Sequence, residues 1–420
     1  MLELDCGLEF FSDFAPDFFA AMPARPGIFL LEMREVGAAP GPGAQPYLAR
    51  TADIRRAVER LLGAPEVASK QLNLREVAAR IRYRVTGSKF EQNLAFYQNA
   101  RAYFPSRYRE LLRLRAPATL KVNLRNAYPR CYVTRRIRGD EGFYFGPFGS
   151  RRSAEDFSES FLDLFKTRRC QIKIRRDPDY PGCMYSEMKM CLAPCFAGCT
   201  QQEYDVEIGR VVQSLETKGT SLTEQLAQER AAASEELDFE RAAALHRRLD
   251  KVTAVLRGMP DLARRIEELD LVILQRSAEP QTIAVFPVRG GMLAEPLFLR
   301  FAEISSEPRS VEAILKDTLE PGWNAEASEV AAGGRAPKRD GEESDVVVRE
   351  GNLRARYGLR AASPDLHDHL ALLTRWFYSK PREGEILFRD TVWPYRRMLR
   401  ACSRLLAGPQ QTQSAPHPQQ

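Results

Sequence analysis

"PARPGIFLLEM" (residues 23–33) and "PYLARTADIRRAVERLL" (residues 46–62) decide how the chain begins to fold. The first is an apolar run bounded by Pro and Gly and reads as a strand; "PYLAR" reads as a second strand after the loop "AAPGPGAQP". Thr51 is expected to cap a helix in which Ile54, Val58, Leu61 and Leu62 share one face. Arg50, Arg55, Arg56 and Arg60 lie on that helix and its entrance, where they could bind a phosphate chain or simply face water. A further strand, "REVAARIRYRVTG", precedes a helix over residues 89–103. Residues 1–116 are therefore expected to form a small α/β domain.

Beyond it, residues 120–134 have a strand pattern, followed by "GFYFGPFGS" and an amphipathic helix over 153–167. A cysteine-rich loop completes a region expected over 117–200. Helices span about 201–257, giving a helical unit over 201–258 that Pro260 closes. "LDLVILQRS" and "QTIAVFPVRGGMLAEPLFLRF" read as strands with a hairpin at Gly290-Gly291, in an α/β unit over 259–390. Within it, residues 320–345 are expected to be a mobile insertion and 365–378 a helix. Residues 391–420 are expected to be a terminal helix and a disordered tail ending "GPQQTQSAPHPQQ". The fold class expected is α/β and α+β, multidomain.

With 420 residues the chain can build two to four domains. A hydrophobic fraction of 44% and a charged fraction of 28% exclude a disordered chain. No apolar run is long enough to span a bilayer, and "MLELDCGLEFF" lacks the basic flank of a signal peptide, so a cytoplasmic location is expected. Residues 101–176 carry 19 Lys and Arg against 7 Asp and Glu, interleaved with aromatics such as Tyr103, Tyr108, Tyr132 and Phe143. Basic groups that release counterions and rings that stack suit a polyanion; a solvated basic surface is the alternative.

Five of the eight cysteines lie in "CQIKIRRDPDYPGCMYSEMKMCLAPCFAGC". Cys170, Cys183, Cys191 and Cys195 match the ligand number of tetrahedral zinc or a cubane iron–sulfur cluster, and Cys199 follows. The absence of C-x2-C pairs leans toward iron, with zinc as second choice. In "EELDFERAAALHRRLDKV" (residues 235–252), Leu237, Ala244 and Leu245 form an apolar stripe with Phe239 and small alanines beside it. This reads as one arm of a helical hairpin, with Phe239 able to anchor a partner.

The cysteine spacing, "FYFGPFGS" and "LDFERAAALHRRL" occur in the order found in the UvrC excinucleases of bacterial nucleotide excision repair, and the chain resembles that family over most of residues 24–390. The resemblance implies a 4Fe-4S cluster on the four cysteines and a UVR motif that binds the partner UvrB through Leu237, Phe239, Glu240, Ala243 and Leu245. It also implies DNA as a ligand, a GIY-YIG-like N-terminal nuclease fold, and an RNase H-like start at "VFPVRGGML" and "PREGEILF". The family's second nuclease centre and helix-hairpin-helix clamp would lie beyond about Asp390, so 5′ incision is expected to be absent.

A GIY-YIG nuclease works with one Mg²⁺ or Mn²⁺ held by a glutamate, a tyrosine that handles a proton and a basic group at the phosphate. On this motif the first tyrosine position is Phe29, the second is Tyr47, the following glycine is Ala49 and the lysine is Arg50. The helix arginine matches Ala57, with Arg56 and Arg60 about 100° and about 300° around the helix. The metal glutamate matches Phe96 or Tyr97. The expectation is a site that binds without cutting, with Arg50 and Arg55 contacting phosphate. Two alternatives are a single-incision, 3′-side nuclease using Glu91 or Glu59 as its carboxylate, and a DNA-binding protein whose cluster senses redox state.

Overall fold

The computed structural model describes residues 2–11, 13, 15–34, 45–64, 72–138, 142–304, 309–320 and 365–408. The expected loop after the first strand, most of the 320–345 insertion and the tail lie outside them. Three antiparallel sheets with flanking helices make up the α+β architecture.

The first sheet has the order β1 (Cys6–Glu9), β4 (Ala78–Val85), β2 (Gly27–Met33), β3 (Tyr47–Thr51). Along β2 the side chains alternate, so Ile28 and Leu30 face one side and Phe29 and Leu31 the other. Helices α1 (Ala15–Ala21) and α2 (Ile54–Leu62) cover the Phe29 side. The four apolar residues expected on one face of α2 are all buried. Its cap is Asp53, which accepts from the Arg56 N–H at 3.0 Å. Thr51 instead ends β3 and accepts from the Asp53 N–H at 3.1 Å, which corrects the expected cap by two residues. On the Ile28 side lie α3 (Lys89–Tyr103) and α4 (Tyr108–Leu112).

The second sheet joins β5 (Ala118–Asn123), β6 (Arg130–Thr134), β7 (Gly142–Phe148) and β8 (Arg264–Arg265) in the order β6-β5-β7-β8. The strand-like run over 120–134 is thus a hairpin, and the helix after β7, α5, is shorter than expected, Arg151–Leu162. The cysteine loop carries the short α6 (Met184–Glu187). Then α7 (Gln201–Glu216), α8 (Thr220–Glu235) and α9 (Phe239–Leu256) follow. Phe143, Phe145, Phe161, Tyr204, Leu226, Val252 and Ala263 share one core. This core draws residues from both sides of residue 200.

The third sheet contains β9 (Leu271–Arg276), β10 (Thr282–Arg289), β11 (Met292–Leu293), β12 (Leu297–Arg300) and β13 (Glu385–Phe388). β10 and β11 turn at Gly290 and Gly291, whose φ of 52° and 76° fit the expected hairpin. α10 (Phe301–Ile304), α11 (Val311–Leu319) and α13 (Tyr395–Ala407) belong to its outer side, where Met398 and Cys402 of α13 pack with Val272 and Leu274. The terminal helix therefore packs on the third sheet.

The inner side of the third sheet meets the α3 side of the first. Phe90 and Leu94 of α3, Phe286 of β10 and Trp376 of α12 (Leu366–Phe377) lie in one core. A Cβ on Gly87 would stand 2.3 Å from the Ser277 carbonyl carbon, so the backbones abut there. α12 binds all three units together. Asp365 pairs with Arg101 at 2.8 Å, Asp368 accepts from Tyr108 at 2.7 Å and pairs with Arg109 at 3.1 Å. His367 accepts from the Ile137 N–H and His369 from the Leu293 N–H, both at 3.1 Å. Among the described residues no helix is long and apolar enough to cross a membrane.

Candidate functional site

The N-terminal motif positions divide between the two sides of the first sheet. Phe29 on β2 and Tyr47 on β3 lie on the α2 side with ring centroids 6.3 Å apart, and Ala57 of α2 joins the same core. Phe29 is 1% exposed, so hydrocarbon fills the place of a tyrosine hydroxyl. Arg50, three residues after Tyr47, points to the other side. There it donates to Asn93 Oδ1 and lies 5.4 Å over the Phe96 ring. Burial, then Arg113, lowers the Arg50 pKa. Phe96 and Tyr97 are buried in the core shared with the third sheet. Burial pushes the Tyr97 hydroxyl up to about 12, with the Asp368 carboxylate adding to the shift. The matched positions therefore do not converge on one phosphate.

The other arginines separate in the same way. Arg55 donates to the Met22 and Ala20 carbonyls at 2.8 and 3.1 Å, which ties α2 to the end of α1. Arg56 and Arg60 are exposed on α2. Of the two alternative carboxylates, Glu59 faces solvent, while Glu91 is 1% exposed. Glu91 accepts from the Gly87 N–H at 2.8 Å and lies 3.7 Å from Arg84 Nε, and burial raises its pKa. It caps α3 and is spent there.

The basic window over 101–176 is partly neutralised: Arg101, Arg109, Arg151 and Arg169 each pair with a carboxylate. Arg125, Arg135, Arg136 and Arg138 remain exposed around the edge strand β6, where Arg130 stacks 4.6 Å over Tyr132. This edge is the best-formed cationic and aromatic surface of the second unit.

Cys170, Cys183 and Cys191 are half-buried and Cys195 is buried, all as free thiols. Burial raises the Cys191 thiol to about 11, and Cys170, Cys183 and Cys195 add to the shift. Cys191 Sγ also accepts from the Ala193 N–H at 3.3 Å. Among the described residues, no group of three or more His, Cys, Asp or Glu is drawn together as it would be around a single metal ion.

At the turn between α8 and α9, Leu237 is 71% and Phe239 66% exposed. Leu237 has φ of 62°, and Asp238 caps α9 by accepting from the Arg241 N–H at 3.0 Å, which fixes the tip between them. Glu240 and Ala243 are exposed beside Phe239, whereas Leu245 is half-buried against the core of the second unit. The expected partner set is therefore a surface of four residues with Leu245 beneath it.

Residues 118–214, from β5 to near the end of α7, match the family described as UvrC/Cho excinuclease, middle domain. Proteins named UvrABC system protein C match a longer stretch. The one from Dehalococcoides mccartyi (strain CBDB1) is 27% identical over 280 residues, covering 65% of this chain and 44% of its own length. That of Moorella thermoacetica is 25% identical over 300 residues, 71% of this chain and 48% of its own. That of Ruminiclostridium cellulolyticum is 30% identical over 173 residues, 41% and 28%. The chain is similar to UvrC proteins, with residues 118–214 matching their middle domain. It spans less than half the length of these UvrC relatives. No solved structure matches it. The region matched to the UvrC middle domain holds both the cysteine loop and the basic β6 edge.

Proposed function

We propose that this chain is a UvrC-like component of nucleotide excision repair that binds DNA and a UvrB-like partner, and that its GIY-YIG-like unit does not cut. The observation that carries the reading is the apolar filling of the motif: Phe29 and Ala57 are packed in the core behind Tyr47. A phenyl ring can neither accept nor relay a proton, and a methyl group cannot balance phosphate charge. Glu91 is committed to α3 and Arg84, so it is not free to seat a metal ion. Losing both the cation and the proton handler removes several kcal/mol of transition-state stabilisation.

Full-length protein incubated with Mg²⁺ or Mn²⁺ and with nicked, damaged or supercoiled DNA, alone and with UvrB, is expected to leave every strand intact. Metal-stimulated cleavage that disappears in Glu91→Gln would replace this reading with the single-incision nuclease.

The β6 edge supplies the DNA contact, because exposed Arg groups there neutralise phosphate while Tyr132 offers a ring face. The tip of the α8–α9 hairpin supplies the docking surface for UvrB, since two large apolar side chains held out in water gain most on burial. Phe239→Ala is expected to weaken UvrB capture by at least about tenfold, the size of an interface anchor. Its thermal midpoint should stay unchanged because the ring is solvated in the free chain. Undiminished capture would remove the hairpin from the interface.

Cys170, Cys183, Cys191 and Cys195 are the residues that would hold a 4Fe-4S cluster, which would supply a rigid cross-link of the loop. Thiolate donors suit it in kind.

A further inference from the structure

The helix α13 has two unlike faces. Tyr395, Met398, Ala401 and Cys402 are buried against the third sheet, while Arg396, Arg397, Arg400 and Arg404 lie on its outer side. Between this basic face and the edge strand β13 runs a cavity of about 240 Å³ lined by Glu385, Ile386, Leu387, Arg397, Arg400 and Arg404. Arg404 forms one wall, fixed by two bonds to Glu385 at 2.9 and 2.5 Å. Arg400 is braced by its Nε, which donates to the Arg396 carbonyl at 3.3 Å. Among the described residues neither Arg397 nor Arg400 has a carboxylate partner.

We propose that this groove binds the phosphodiester backbone of a DNA strand, as a second contact on the third unit. The proposal rests on the DNA-binding reading above. Uncompensated guanidinium groups in a concave site favour an anion with several acceptor oxygens, and their planar forks match phosphate. From Arg397 to Arg404 the helix rises about 10 Å, at 1.5 Å per residue. A duplex strand presents a charge about every 3.4 Å of helix axis, so that length spans about three phosphates where it lies parallel to the duplex axis and fewer where it follows the strand. Because β13 sits at the sheet edge, the groove is open along its length to a passing strand.

The test is salt-dependent binding of the full chain to a labelled 30-base-pair duplex of arbitrary sequence, read by anisotropy. Arg397→Gln with Arg400→Gln is compared with wild type and with Arg300→Gln plus Arg309→Gln. The second pair removes the same formal charge from the same unit, at arginines already paired with Glu279 and Asp317. The groove variant is expected to lose about 2 from the magnitude of the log–log salt slope, a difference of about tenfold in binding between 50 and 200 mM salt. The control pair should retain the wild-type slope. No binding by wild type at low salt would sink the DNA reading itself. Wild-type binding with an unchanged slope in the groove variant, or an equal loss in the control, would overturn the groove alone. Circular dichroism of the groove variant should match wild type, since neither side chain is buried.

Discussion

Phe90→Ala is expected to cost about 3–5 kcal/mol of stability, the range for removing a buried aromatic ring. Phe90 belongs to α3 of the N-terminal unit, yet its ring stands edge-on to Phe286 of β10 at 5.1 Å and 5.6 Å from Trp376 of α12. It is 2% exposed, and Trp376 is fixed from behind by its indole N–H, which donates to the Glu383 carbonyl at 2.8 Å. The cavity left by truncation would therefore be walled by residues from two units that cannot collapse independently. Because Leu94, Phe96 and Tyr97 share that core, the loss should shift the whole cooperative transition in urea rather than a minor early phase. A loss below about 1 kcal/mol would show that the first and third units do not stabilise each other. The α3 side of the first sheet is largely packed against the third unit, although Arg50 at its rim stays exposed.

Local signals in the sequence identified the elements well and their partners poorly. α3 is legible to the residue because Ser88 accepts from the Glu91 N–H at 3.1 Å and so marks its start, with good helix formers following. The start of α2 is harder to read. Thr51 and Asp53 both make local side-chain bonds, and only the end of β3 decides which of them caps. The division of the motif between two sheet faces had a signal in plain view: Tyr47 and Arg50 are an odd number apart on one strand, and period-two alternation sends them to opposite sides. Arg55 gave no such hint, because its carbonyl partners lie more than 30 residues away. The role of α12 was out of reach for the same reason. The residues that Asp368 and His367 hold are separated from them by about 230–260 positions, and nothing local in "LHDHL" names them. The exposure of Leu237 and Phe239 fits a local pattern, an apolar pair beside small alanines.

The full chain is expected to lose stability as pH falls from 7.5 to 5.5, with His367 and His369 as the cause. His367 uses the lone pair of Nε2 to accept the Ile137 N–H, and His369 uses that of Nδ1 to accept the Leu293 N–H. A proton on either nitrogen would set two donors against each other at a junction between units. Burial lowers both pKa values from 6.5. For His367, Asp368 opposes the shift and Arg109 assists it. For His369, Asp365 and Asp368 oppose it and Arg101 assists, with the Tyr97 ring 5.5 Å away. A depressed folded-state pKa means that the unfolded chain takes up protons first. The contribution is therefore complete above about pH 6.5 and is lost progressively below it, down through the folded values. Two protons set an upper limit of about 2.7 kcal/mol per pH unit. Glu91, Glu216 and Glu267 act in the opposite direction, since desolvation raises their pKa values and favours their neutral forms on acidification. The histidine part is isolated by His367→Gln with His369→Asn, which keeps an acceptor near each position but cannot be protonated in this range. The urea midpoint of wild type should fall between pH 7.5 and 5.5 by clearly more than that of the double variant. Parallel pH profiles would mean that the two imidazoles do not hold the junction, and α12 would then bind the units through Asp365, Asp368 and its apolar face alone.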